Sequence, residues 1–181
     1  MASASASDET HDAFATRPED PSDYAAVRRI NVRVFGGTTE ADLVETLREE
    51  AARFLSLVAE ENGRVIGHIL FTPVEIVSAT QVSAMGLAPM AVDPPSQRRG
   101  VGSALVRAGL DACRNAGVKV VIVLGHPEYY PRFGFRPAHL QGLRCAFEAP
   151  PEAFMVAELR AGALDDVEGL VRYHAAFDAV E

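Results

Sequence analysis

Met90-Ala91-Val92-Asp93-Pro94-Pro95-Ser96-Gln97-Arg98-Arg99-Gly100-Val101-Gly102-Ser103-Ala104-Leu105 carries the chain from an apolar strand, through a proline-rich turn, into a helix. Glycine lets a backbone turn tightly and approach a ligand, and the first turn of a helix offers free N–H groups at the positive end of its dipole. The stretch is therefore an anion site. Two familiar patterns fail on it. A nucleotide phosphate loop needs Lys-Ser or Lys-Thr after its last glycine, whereas Gly102 is followed by Ser103-Ala104. A dinucleotide fingerprint needs glycine or alanine where Leu105 stands. The plain alternative is that Gly100 and Gly102 only shape a turn beside a solvated Arg98-Arg99 pair.

Upstream, Phe54 to Glu60 and Val65 to Phe71 flank Asn62-Gly63, a two-residue hairpin signal. The second strand is expected to run on past Pro73 to Val77, and a third, Met85 to Val92, returns antiparallel into the glycine loop. Phe14 to Arg17 reads as a short strand. Ser22 is expected to cap a helix carrying Tyr24, Val27, Ile30 and Val34 on one stripe, stopped by Gly36-Gly37. A second helix starts at Thr39 with Leu43, Val44 and Leu47 inward.

Downstream, the helix from Gly100 to Ala116 shows two apolar stripes, Val101-Leu105-Ala108-Ala112 and Val106-Leu110-Cys113. That pattern predicts cover by the sheet and suggests a homodimer contact. Val120 to Leu124 is a β-branched run suited to a central strand buried on both faces. Strand, helix and strand make a right-handed parallel crossover, whose ligands bind beyond the carboxyl ends of the strands. Gly125-His126-Pro127-Glu128-Tyr129-Tyr130-Pro131-Arg132-Phe133-Gly134-Phe135 lies at that end, with Pro131 limiting any helix to a single turn. Phe147 and Phe154 to Ala157 read as closing strand material, and residues 161–181 as an acidic, weakly helical tail.

The chain has 181 residues, 48% hydrophobic and 23% charged, which suits one globular domain. Its formal net charge of −8 speaks against a nucleic-acid surface and suits a cationic or amine substrate. Cys113 and Cys145 have no metal-ligand spacing, so no metal is expected, and a reduced cytoplasmic location fits them. Residues 1–12, Ala/Ser-rich and acidic, read as a disordered tail rather than an export signal. No apolar run reaches the roughly 20 residues of a membrane span, so no membrane partner is expected.

Gln-x-x-Gly-x-Gly, preceded by Ala-Val-Asp-Pro and followed by a helix, resembles the acyl-CoA pyrophosphate loop of the GNAT superfamily of N-acetyltransferases. A tyrosine four residues before a Gly-Phe pair is a second feature of that family, and Tyr130 stands so before Gly134-Phe135. The resemblance covers roughly residues 14–160, placing the domain at 13–160. It implies an α/β fold: a mixed, mostly antiparallel central sheet, a parallel strand-helix-strand crossover at the acyl-CoA site, and helices on both faces. It implies transfer of an acetyl group from acetyl-CoA to a primary amine by direct attack. Met90, Ala91 and Val92 would pair with the pantetheine arm, and a backbone N–H near Ala91 would steady the oxyanion. Amides of Arg98, Arg99, Gly100, Val101, Gly102 and Ser103 would receive the pyrophosphate, aided by both guanidinium groups. Tyr130 would be the general acid toward the departing thiolate, and Tyr129 would pack. The chain departs from the family in lacking the asparagine that often contacts the CoA arm after the β-branched strand.

Candidates for the base are His126, Glu75 and His68. His126 stands before a proline, as a turn residue would, and His68 sits in a strand, as a structural histidine would. Two other classes share the same motifs: a non-catalytic acyl-CoA sensor, and an acyltransferase using another donor or a hydroxyl acceptor. The acceptor itself, whether small amine, aminoglycoside-like molecule, peptide N-terminus or lysine, is left open by the sequence.

Overall fold

The computed structural model describes residues 13–180; the expected tail over 1–12 lies outside the described residues. The chain forms β1 (Phe14–Pro18), α1 (Tyr24–Phe35), α2 (Thr39–Glu50), β2 (Leu55–Glu61), β3 (Arg64–Val77), β4 (Ala84–Val92), α3 (Val101–Asn115), β5 (Val120–Leu124), β6 (Arg136–Pro137), β7 (Leu143–Cys145), β8 (Phe154–Glu158) and β9 (Gly169–Arg172). The main sheet runs β1-β2-β3-β4-β5-β8-β6 and is antiparallel except for the parallel pair β4–β5.

Local chemistry sets most of these elements. Asn62 and Gly63, with φ of 51° and 76°, make the tight turn between β2 and β3. Gly36, at φ 76°, ends α1 and donates its N–H to Val32 O. At the start of that helix the cap differs from expectation: Asp20, rather than Ser22, accepts from a backbone N–H, and it opens a 3-10 turn over Pro21–Asp23 that leads into α1. The Asp23 carboxylate returns to Asp20 N at 2.8 Å and closes a capping box.

α3 lies on one face of the sheet. Val101, Leu105, Val106, Leu110 and Cys113 pack with Ile69, Phe71, Leu87, Val121 and Val123, so residues of both apolar stripes are buried against the sheet. Ala108 and Ala112 are half-buried, and the exposed residues of the helix are Arg107, Asp111, Arg114 and Asn115. On the opposite face, Val27, Ile30, Leu43, Val44 and Leu47 of α1 and α2 cover Val58, Val65, Leu70 and Ala91.

The C-terminal segment is not a weakly helical tail. Residues 169–172 form β9, which pairs antiparallel with β3 through Glu75↔Arg172, Ile76↔Val171 and Val77↔Leu170, and parallel with β7. Gly169, at φ 147°, lets the Val77 carbonyl come where a Cβ would stand. Val171 is fully buried, and Phe177, in a 3-10 turn over Ala175–Ala179, joins the α1–α2 core. Phe147 is likewise outside any strand, its ring 5.5 Å from that of Tyr173.

Candidate functional site

The parallel pairing of β4 with β5 covers only Ala84–Leu87 against Val120–Val123. Beyond Leu87, β4 continues to Val92 bonded to β3 alone, and β5 stops at Leu124, so the two strands fork. The register against β3 shifts here, from Phe71↔Leu87 to Ile69↔Met90, which places an extra residue in β4. Over Ala88–Val92, among the described residues, no strand pairs with the side of β4 away from β3; Met90, Ala91 and Val92 lie in this stretch, with the Val92 carbonyl accepting from Gln97. An extended chain carrying amides finds there the hydrogen-bonding groups a neighbouring strand would use.

The fork leads to the glycine loop. Asp93 is buried; its carboxylate accepts from Arg33 at 3.0 Å and Arg64 at 3.4 Å, and its carbonyl accepts from Ser96 N at 2.8 Å. Gln97 Nε2 donates to Val92 O at 2.9 Å, fastening the turn to the end of β4. Gly100 is the residue before α3 at φ 82°, a conformation only glycine takes without strain, and nothing lies within 4 Å of where its Cβ would be. The first helical bond runs from Ala104 N to Gly100 O, which leaves the N–H groups of Val101, Gly102 and Ser103 ahead of it, with no side-chain cap. Uncapped amides at a helix start favour an anion.

The two arginines divide. Arg98 is exposed at φ 62°. Arg99 forks onto Glu61, with Nη2–Oε1 at 2.5 Å and Nη1–Oε2 at 3.3 Å, and holds that carboxyl below its ordinary range. Arg99 thus ties the loop to the end of β2.

Tyr130 opens the 3-10 turn Tyr130–Phe133, which ends at Gly134 with φ 92°. The single turn expected from Pro131 is what forms. Its ring packs edge-on against Tyr129 at 5.1 Å and Phe135 at 5.5 Å, and seats over Gly125 at the end of β5, where any Cβ would collide with it. Burial, and next the neighbouring Tyr129, push its hydroxyl up to about 12. Tyr129 does more than pack. Its hydroxyl is 3.4 Å from Ser103 Oγ and would stand 3.0 Å from a Cβ at Gly102, so it fills the space that glycine leaves at the start of α3. A Cβ at Gly102 would press on this hydroxyl, whereas Gly100 is favoured by its own backbone conformation.

The base candidates are scattered. His68 is fully buried on the α1 side of the sheet, Nε2 2.9 Å from Ser56 Oγ and Nδ1 3.5 Å from Asn31 Nδ2. Burial, and then the charge of Arg48, lower it to about 3, so the ring is neutral. Glu19, 3.9 Å away, is itself paired with Arg48. Glu75 sits at the β3–β9 edge 4.0 Å from Arg172, four residues along β3 from the partner of Leu87, which is roughly 13 Å from the fork. His126 is exposed beside the fork, its carbonyl accepting from Tyr129 N at 3.0 Å. The polar shell of His68 and the reach of Tyr129 to Gly102 carry no local signature, because their members are far apart in the chain.

Among the described residues no group of three or more His, Cys, Asp or Glu converges as a metal site. No helix among them is long and apolar enough to cross a membrane.

The sequence comparison gives this bulged, forking strand and glycine-led helix a family: a family model described as Acetyltransferase (GNAT) domain matches residues 15–138. The chain belongs to the GNAT acetyltransferase family and is an acyltransferase. It is 39% identical over 163 residues to the uncharacterized N-acetyltransferase YhbS of Escherichia coli K12, covering 90% of this chain and 97% of the relative. It is 44% identical over 137 residues to YjhQ of the same organism, another uncharacterized N-acetyltransferase, covering 74% and 76%. The crystal structure of E. coli YhbS in complex with CoA matches with a TM-score of 0.87, at 37% identity over 93% of both chains. A Brucella melitensis GNAT acetyltransferase in complex with acetyl-CoA matches with a TM-score of 0.75, at 36% identity over 93% of this chain and 100% of that one.

Proposed function

We propose that this protein transfers an acetyl group from acetyl-CoA to a primary amine by direct attack in a ternary complex. The observation that carries the reading is the β4 edge, Ala88–Val92, joined by the short loop over residues 93–100 to the uncapped start of α3. The CoA and acetyl-CoA held by the two similar structures support it. In this reading Met90, Ala91 and Val92 bond the pantetheine amides. The N–H groups of Gly100, Val101, Gly102 and Ser103 take the pyrophosphate, while the exposed Arg98 supplies positive charge and Arg99 holds the loop against Glu61.

The amine nitrogen forms a bond to the thioester carbonyl, whose oxygen gathers charge beside a backbone N–H near Ala91. Collapse breaks the carbon–sulfur bond and sends the electron pair to sulfur. Tyr130 then donates to the thiolate. Its hydroxyl, near 12, stays protonated through the whole working range, and against about 8.5 for a thiol its proton is shared rather than given up early. His126 is assigned to the amine's proton, taken through solvent at the rim of the fork; Glu75 and His68 are left with structural roles.

Melting curves with acetyl-CoA, and thiol release across small amines, an aminoglycoside, a peptide N-terminus and a lysine peptide, test the reading. Acetyl-CoA is expected to raise the melting temperature, while acetate and nicotinamide dinucleotides leave it unchanged. At least one amine is expected to release thiol. No shift at saturating acetyl-CoA sinks the binding claim; binding with release by none of the amines sinks the acceptor class.

A further inference from the structure

Tyr129 joins the two halves of the site. Its ring is held on three sides: edge-on by Tyr130 at 5.1 Å, edge-on by Phe133 at 5.3 Å, and under the Arg132 guanidinium 4.7 Å from its centroid. So fixed, its hydroxyl crosses from the segment after β5 to the first turn of α3. There it lies over Gly102, in a space whose next nearest walls are the side chains of Met90 and Val92, both on the open strand edge. Ser103 Oγ is its polar neighbour at 3.4 Å. Two hydroxyls bond well at about 2.7–2.8 Å, so at this separation neither proton is committed to the other. Both hydroxyls stand at the first turn of α3, where the helix dipole favours an anion.

We infer that Tyr129 and Ser103 form a two-hydroxyl clamp that donates to one phosphate oxygen of the acyl-CoA pyrophosphate, making Tyr129 a cofactor-binding residue rather than a packing one. The inference rests on the acetyl-CoA reading above. It bears on Gly102: a Cβ there would press on the clamp's tyrosine hydroxyl. It also supplies a contact to the cofactor from the segment after β5, where the asparagine common in the family is missing.

The test is calorimetric binding of CoA and of S-acetylpantetheine, which lacks the pyrophosphate, to the parent, Tyr129→Phe, Ser103→Ala and the double variant, with melting temperature measured on each free protein. Tyr129→Phe keeps the ring and its three neighbours, so the free protein is expected to melt like the parent. Its CoA affinity is expected to fall about tenfold or more, the usual loss of a hydrogen bond to a charged group, while S-acetylpantetheine binding is unchanged. The double variant is expected to lose less than the two single losses combined, because both hydroxyls serve one oxygen. Equal CoA affinity in Tyr129→Phe overturns the clamp and leaves the acetyl-CoA reading standing. A parallel loss on S-acetylpantetheine overturns the phosphate assignment, since the hydroxyl then acts on the arm. A parent that binds neither ligand overturns the acetyl-CoA reading and the clamp with it.

Discussion

Tyr129 and Tyr130 are adjacent in the chain and meet different atoms, because neighbours on a helical turn point about 100° or more apart. Tyr130 turns to the end of β5 over Gly125, and Tyr129 reaches α3. The two hydroxyls therefore separate by experiment. Tyr130→Phe is expected to lower kcat by about 10² to 10⁴, the usual worth of a positioned proton donor, and to leave CoA affinity nearly intact. Tyr129→Phe is expected to leave kcat at saturating acetyl-CoA little changed. Steady-state thiol release with an accepted amine reads both; a Tyr130→Phe enzyme that turns over like the parent makes Tyr130 a packed ring only. The position of Tyr130 before Gly134-Phe135 was legible in the sequence. The reach of Tyr129 was not, since its partner Ser103 is 26 residues away.

α3 is the element on which both halves of the site depend. Its start presents the amides, and its middle is pressed onto the sheet at Gly109, whose missing side chain makes room for the buried Phe71 ring. Phe71 is also the β3 partner of Leu87, where the fork begins. Gly109→Ala adds a methyl group inside that ring. Helix propensity favours alanine by about 1 kcal/mol, but overpacking against a fixed aromatic costs about 1–3 kcal/mol, so the variant is expected to be less stable. Chemical denaturation measures the difference, and CoA affinity is expected to fall as α3 lifts from the fork. A variant more stable than the parent shows that Phe71 moves aside freely. The two apolar stripes of α3 were readable from spacing alone, whereas their common burial under one chain depended on how the sheet curves beneath the helix.

Among the described residues, the buried His68 carries a clear pH signature between neutrality and acid. His68, held near 3 by burial and by Arg48, is neutral when folded, and on unfolding it returns to about 6.5. Between those values the unfolded chain binds the extra proton, so stability rises with pH there. His68's contribution is complete above about pH 6.5 and is lost progressively as pH falls toward 3. The groups that face it are Glu19, Arg48, Ser56 and Asn31, and Glu19 is already engaged by Arg48. Melting temperature is expected to fall between pH 6.5 and 4, and His68→Gln is expected to show a shallower fall, from a lower starting point. Parallel profiles for the two proteins would assign the acid sensitivity to the carboxylates instead.

Short-range rules were enough for the elements from β1 to β5. Asn62-Gly63 allows little but a tight hairpin turn, Val120 to Leu124 suits a buried central strand, and Gly100 before an amphipathic repeat makes an uncapped helix start; each follows from conformational preferences acting within a few residues. The C-terminal segment shows where such rules stop. Leu164, Val167, Leu170 and Val171 recur at a spacing that suits a helix, yet the free edge of β3 at Glu75–Val77 draws residues 169–172 into a strand. His68 in the same way is structural because Glu19, Arg48, Asn31 and Ser56 close around it from separate elements. Pairings of this kind are settled by which surfaces the fold brings within a few ångströms of each other, and the free energy of covering them outweighs the local preference of the chain.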